Sequence, residues 1–139
     1  IAWGMVGMMM QCYSTALDYA LSRKQFSKPI AAYQITQEKL VYMLTEITKA
    51  QLLCYRLAQL KDKGIMRPQQ VSMAKRNSCE FAKNIASIAR EMLGANGILD
   101  EYPIMRHLAN VESVKTYEGT HEMHTLIIGE DITGFAAYD

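Results

Sequence analysis

The sequence is poor in most features that name a function quickly. It has only three cysteines, Cys12, Cys54 and Cys79. They are odd in number, widely separated and free of any C-x-x-C pair, which argues against a disulfide framework or a zinc site. They read as reduced core cysteines in a cytosol-like compartment. Charge of one sign is also missing. Fifteen Lys+Arg stand against 14 Asp+Glu, a formal net charge of +1, so no electrostatic footprint for nucleic acid or an anionic membrane exists. The apolar opening from Ile1 to Met10 is too short to span a bilayer and lacks the basic n-region and cleavage pattern of a signal peptide. Without a G-x-S-x-G segment or a Walker-type glycine loop, serine hydrolase and nucleotide kinase chemistry drop out. No internal repeat, low-complexity linker or convincing strand alternation is found.

What is present is helical. Half of the 139 residues are hydrophobic, enough to bury one compact core. The chain opens on Ile rather than Met, inside an apolar run, and is expected to be a piece of a longer protein. From Met5, the positions Met8, Met9, Cys12, Ala16, Tyr19 and Ala20 follow a helical stripe to about Arg23, broken at Ser27-Lys28-Pro29. A second helix is expected from near Thr36, with Leu40, Met43, Ile47, Ala50, Cys54 and Leu57 inward and Lys39, Glu46, Lys49 and Lys61 outward, until Asp62-Lys63-Gly64 stops it. Pro68 suits the first turn of a third helix, in which Val71, Ala74, Ser78, Phe81, Ile85, Ile88 and Met92 repeat every three or four residues. Gly94-Ala95-Asn96-Gly97 ends it with residues suited to positive φ. A shorter helix follows Pro103 through Ile104, Leu108 and Val111, and a last one, N-capped by Thr120, runs through Met123, Ile127 and Ile128 towards Ile132. The expected fold is all-α, an antiparallel up-and-down four-helix bundle with a short extra helix. Ten methionines at helical spacing read as core packing and helix contact.

Three groups at helix ends stand out as more than packing: Arg23-Lys24-Gln25-Phe26 with Gln34, the turn from Gly94 to Gly97, and the segment from Tyr117 to Glu122. Helix ends leave backbone N–H groups free, so a glycine-containing turn there can approach and hydrogen-bond a phosphate. An arginine adds the permanently charged, bidentate partner that a pyrophosphate favours. The plain alternative for Gly94 to Gly97 is an ordinary helix stop. Glu118, followed by Gly119 and the capping Thr120, would hold its carboxylate in a turn off the regular helix face, a good place for a base; a surface glutamate in a turn is the default. Glu118-x-x-His121 is similar to half of a di-iron bundle motif. That motif needs two such units and two further inward glutamates, and Gly119 interrupts the helix it requires, so no metal site is expected. His107 reads as solvated or capped.

Together these groups resemble the C-terminal domain of the acyl-CoA dehydrogenase family, over nearly the whole chain. The residues that carry the resemblance are Arg23, Phe26 and Gln34, the glycine-rich run Met92-Leu93-Gly94-Ala95-Asn96-Gly97, and Tyr117-Glu118-Gly119-Thr120. Ser27, after Phe26, and Ala95 stand where the family usually has glycine. The resemblance implies that residues 1–139 are the C-terminal helical domain, with the family's N-terminal helical and middle β domains absent from this chain. It implies FAD as cofactor and an acyl-CoA as substrate, with no metal. Arg23, Phe26, Gln34, Glu91, Met92, Leu93, Gly94 and Ala95 would contact the FAD of a neighbouring subunit, and Thr120, His121 and Glu122 would touch FAD on the catalytic side. Glu118 would be the catalytic base and Gly119 would lie against the substrate. Partners so implied are further copies of the chain, as a dimer or tetramer through the bundle, and electron-transfer flavoprotein if the enzyme is a dehydrogenase. Neither nucleic acid nor membrane insertion is expected, and the compartment would be the cytoplasm in a bacterium or the mitochondrial matrix in a eukaryote.

Within the family, the runs Arg90 to Ile98, Asp100 to Tyr102 and Thr116 to Glu122 look most like glutaryl-CoA dehydrogenases, with short-chain acyl-CoA dehydrogenases and oxidases the nearest competitors. That likeness implies α,β-dehydrogenation of a thioester followed by loss of CO₂ to give crotonyl-CoA. As an isolated chain, without the β-domain's share of the flavin cradle, the polypeptide is expected to be a colourless, inactive helical oligomerisation module.

Overall fold

A computed structural model describes residues 1–138; Asp139, the last residue of the expected domain, lies outside the described residues. The fold is all-α, as expected. Its elements are α1 (Ala2–Ser22), a small hairpin of β1 (Lys24–Gln25) and β2 (Lys28–Pro29), a 3₁₀ turn (Ile30–Ala32), α2 (Gln34–Asp62), α3 (Pro68–Met92), a second 3₁₀ turn (Gly94–Ile98), α4 (Ile104–Thr116) and α5 (His121–Thr133). Helix α3 lies at the centre and packs against α1, α2, α4 and α5. Burial follows from that position. Besides the expected Ala74, Ser78 and Ile85, α3 also buries Ser72, Lys75, Cys79, Ala82, Ala86 and Ala89, and its many small side chains let neighbouring helices approach closely. Met9, Met43, Leu93, Ile104 and Val111 fill the core around it, and all three cysteines are free and buried.

Most boundaries follow the caps. Thr120 Oγ1 accepts a hydrogen bond from the Met123 N–H at 3.2 Å, satisfying one of the free donors that open α5. Gly134, at φ 76°, closes that helix in the left-handed conformation. Pro68 opens α3, where the Gln70 side chain accepts from the Arg67 N–H at 2.9 Å. Helix α2 begins two residues earlier than the apolar stripe implied, because Tyr33, extended between the 3₁₀ turn and the helix, stands as its cap and its carbonyl accepts from the Gln37 N–H at 3.0 Å. Helix α4 continues past Val111 to Thr116, since Val114 prolongs its buried face.

Three expectations are corrected. Val71, expected on the inward stripe of α3, is exposed, because it sits in the helix's first turn beside the open cleft at that end of the bundle. Residues 24–29 hold a two-stranded hairpin where no strand was expected; two-residue strands are too short for alternation to register, and Phe26 and Ser27, at φ 50° and 71°, make the tight turn. Glu46, expected to face outward, is buried. It lies three residues after Met43 and directly before Ile47, so it shares their face, where Lys49 neutralises it at 2.6 Å.

Candidate functional site

The helices alternate in direction, so each end of the bundle gathers a fixed set of termini. At one end a cleft of about 460 Å³ is bordered by the start of α1 (Trp3), the end of α2 (Leu57), the start of α3 (Lys75), and Glu118 and His124 around the α4–α5 turn. At the other, two adjoining clefts share Gln25, Ile30, Glu91 and Met92. One, of about 520 Å³, takes in Arg23, Leu93, Gly94 and Ala95; the other, of about 730 Å³, takes in Phe26, Gln34 and Lys39. The eight residues expected at a cofactor's edge thus meet at one end. Glu118 lies at the opposite one, roughly 25 Å away by the rise of α3 from Lys75 to Met92.

The Glu118 turn is unusual in its backbone. Glu118 is at φ 55° and Gly119 at φ 90°, and a non-glycine residue held left-handed costs about 1–3 kcal/mol unless its surroundings fix it. They do so here. The Lys75 ammonium, on a residue only 4% exposed, donates to the carbonyls of Gly119 at 2.6 Å, Tyr117 at 2.9 Å and Lys115 at 3.5 Å. Two of these carbonyls end α4, where a cation also meets the negative pole of the helix. On its other side the turn rests on His124. A Cβ on Gly119 would come within 3.0 Å of His124 Nε2, so glycine is required twice, by conformation and by space. His124 is buried, and among the described residues neither ring nitrogen has a partner in good hydrogen-bond geometry, the Glu118 and Gly119 backbone coming near without a well-formed bond. Burial, then the Lys75 charge, hold its pKa below the usual histidine value, with partial relief from the Glu118 and Gly119 backbone.

The neighbouring expected residues serve the bundle. Thr120 caps α5. His121 lies 4.0 Å from Glu80, its pKa lowered by burial and then by Arg76 and Lys115. The exposed Glu122 carboxyl is held below the ordinary carboxylate range by hydrogen bonds from its own amide and then the Thr120 hydroxyl, as suits an acid in the first turn of a helix. Among the described residues, no three His, Cys, Asp or Glu side chains gather as a metal-binding group, and no helix is long and apolar enough to cross a membrane.

The opposite end suits an anionic ligand. Arg23 is exposed and, among the described residues, forms no ion pair. It faces the turn opened by Gly94 at φ 58°. That turn is braced from within: the Asn96 amide donates to the Tyr19 hydroxyl at 3.0 Å, Tyr19 packs edge-on against Tyr102, and Gly97 sits so close to the Arg90 carbonyl that a Cβ would collide with it. Leu93 buries its side chain in the core, so its backbone is what can reach the cleft. Glu91 is engaged by Lys39 at 3.1 Å. Phe26 is 90% exposed at the hairpin tip. Sequence reasoning missed Lys75 altogether, although a lysine between Ala74 and Ser78 on the most regular stripe of the chain was the signal that could have found it.

Similarity to known proteins points the same way. Glutaryl-CoA dehydrogenase of Desulfococcus multivorans is 34% identical over 134 residues, which is 96% of this chain and 34% of that protein. A crystal structure of glutaryl-CoA dehydrogenase from Mycobacterium smegmatis superposes with a TM-score of 0.98 at 51% identity, covering 100% of this chain and 36% of that one. A second Mycobacterium smegmatis structure, in complex with FADH2, gives 0.97 at 44% identity, covering 99% and 36%. Further relatives include mitochondrial enzymes. The chain therefore spans about a third of the length of the relatives it matches. The model of the acyl-CoA dehydrogenase C-terminal domain matches residues 1–133, and the chain accordingly belongs to the acyl-CoA dehydrogenase family.

Proposed function

We propose that this bundle is the C-terminal domain of an FAD-dependent dehydrogenase that introduces an α,β double bond into an acyl-CoA thioester, with a glutaryl-CoA-like substrate favoured, and that Glu118 is its base. The observation that carries this reading is the left-handed Glu118 at the mouth of an apolar cleft, its turn fixed by Lys75 and His124. The α-proton of a thioester is weakly acidic and needs a positioned base together with a donor for the developing enolate oxygen. The Glu118 carboxylate takes that proton, its backbone N–H holds the enolate oxygen, and Gly119 lets the thioester approach the chain. Thr120, His121 and Glu122 would hold the FAD beside Glu118, and that group, when bound, would supply the hydride-accepting chemistry for the β-hydrogen. For a glutaryl substrate, loss of CO₂ then leaves a dienolate, and return of the proton that Glu118 took gives crotonyl-CoA.

Arg23, Phe26, Gln34 and the backbone from Glu91 to Ala95 fit a pyrophosphate-bearing cofactor, with a guanidinium that forms no ion pair among the described residues beside a glycine-opened turn. Because they lie about 25 Å from Glu118, they serve the FAD of a neighbouring copy, while Thr120, His121 and Glu122 border the FAD beside Glu118. The exposed stripe Val41, Leu44, Leu52 and Tyr55 on α2 is the face through which copies associate. Electron-transfer flavoprotein is the acceptor in this scheme, and the compartment is the bacterial cytoplasm or the mitochondrial matrix. The test is Glu118→Gln in the full-length, FAD-loaded protein, which keeps shape and removes the base. Reductive bleaching of the flavin by glutaryl-CoA or butyryl-CoA should slow by about a thousandfold. An unchanged rate refutes the assignment.

A further inference from the structure

We propose that Lys75 is a positioning residue for catalysis: its ammonium, by binding the carbonyls on both sides of Glu118, sets the direction of the catalytic carboxylate. The inference rests on the reading of Glu118 as base. Lysine is rarely buried without a carboxylate partner, and among the described residues Lys75 pairs with none. Its donors go instead to Tyr117 O, immediately before Glu118, at 2.9 Å, and to Gly119 O, immediately after it, at 2.6 Å, with Lys115 O further off at 3.5 Å. Two successive left-handed residues turn the chain so that these two carbonyls converge on one cation. The peptide plane before Glu118 and the one after Gly119 are thereby fixed from within the bundle, leaving the Glu118–Gly119 segment held between them, while the Glu118 side chain stays exposed at the cleft mouth. His124 closes the other side of Gly119 by contact. Any ligand that reaches Glu118 through this cleft meets a carboxylate whose backbone has been oriented by a residue 43 positions earlier in the chain.

A lysine that merely capped α4 would alter thermal stability and leave turnover of the folded protein alone. A positioning lysine acts on kcat. The experiment compares Lys75→Met and Lys75→Arg with Glu118→Gln in the full-length, FAD-loaded protein, using whichever of glutaryl-CoA and butyryl-CoA the unsubstituted protein turns over. Lys75→Met is expected to lower kcat by about a hundredfold with KM changed less than about threefold. Amide hydrogen exchange is expected to rise across residues 115–120 and to stay unchanged in α1 and α2. Lys75→Arg keeps the charge but spreads its donors over a plane, so a kcat loss of about tenfold is expected; this variant carries the test if Lys75→Met does not fold. The proposal is overturned if the folded variants keep kcat within about twofold of the unsubstituted protein while Glu118→Gln is inactive, or if exchange rises evenly through the bundle. If Glu118→Gln itself keeps full activity, the base assignment falls and the catalytic role of Lys75 with it, and exchange across 115–120 still reports whether Lys75 holds the turn.

Discussion

Left-handed backbone occurs at both ends of this bundle, held in opposite ways. At the Glu118 end it is fixed by buried groups of the same chain, the Lys75 ammonium on one side and the His124 ring on the other. At the Arg23 end, Phe26 and Ser27 take the same conformation at the tip of a hairpin with two-residue strands, braced below the tip, where the Tyr33 hydroxyl donates to the Gln25 carbonyl at 2.8 Å and the Lys28 ammonium lies over the Tyr33 ring. One end is completed by the bundle's own core. The other exposes Phe26 and, among the described residues, leaves Arg23 without an ion pair.

The contrast can be tested at three depths. The largest effect is expected where the Arg23 end is itself rigid. Gly97→Ala forces a Cβ onto the Arg90 carbonyl, which cannot move without unwinding the end of α3, and should lower unfolding stability by about 3 kcal/mol in urea denaturation. An unchanged midpoint would mean that this end is soft throughout. A smaller, pH-dependent effect is expected at the Glu118 end. The folded pKa of His124 is lowered by burial and by Lys75, so the unfolded chain takes up that proton first on acidification. The contribution of neutral His124 is complete above about pH 6.5, the unfolded value, and is lost as pH falls from there towards the folded value. His107 and His121, lowered in the same sense by burial, act in the same direction. His124→Gln should therefore reduce the drop in Tm between neutral and mildly acidic buffer without abolishing it; an identical drop would show that the ring is not held neutral. The smallest effect is expected at the hairpin tip. Ser27→Gly relieves a left-handed residue but loosens the unfolded chain, for a net gain of about 0.5 kcal/mol. A loss in Tm would mean that the Ser27 side chain contributes contacts that outweigh its backbone strain.

Much of this was legible from residue order. The stripes of α1 and α3, Thr120 as a cap and Gly94 as a left-handed stop depend on near neighbours in the chain, and local periodicity reports them directly. Glu118 was identified as a candidate base from its own segment together with Arg23, Gln34 and Gly94 to Gly97. The hairpin was invisible because two-residue strands have no period to detect. Glu46 was placed outward because its charge was given more weight than its position between Met43 and Ile47.

What sequence alone determined is which residues form helices, where those helices stop, and which short segments carry polar groups able to do chemistry, since capping, turn propensity and apolar spacing act within a few residues. What only the tertiary structure decided is how those segments combine. Antiparallel packing places Arg23 with Gly94 and separates both from Glu118 by most of the length of α3. It also brings Lys75 beneath a turn more than forty residues away, where an ammonium removed from water must find acceptors, and the carbonyls around Glu118 are the ones it finds.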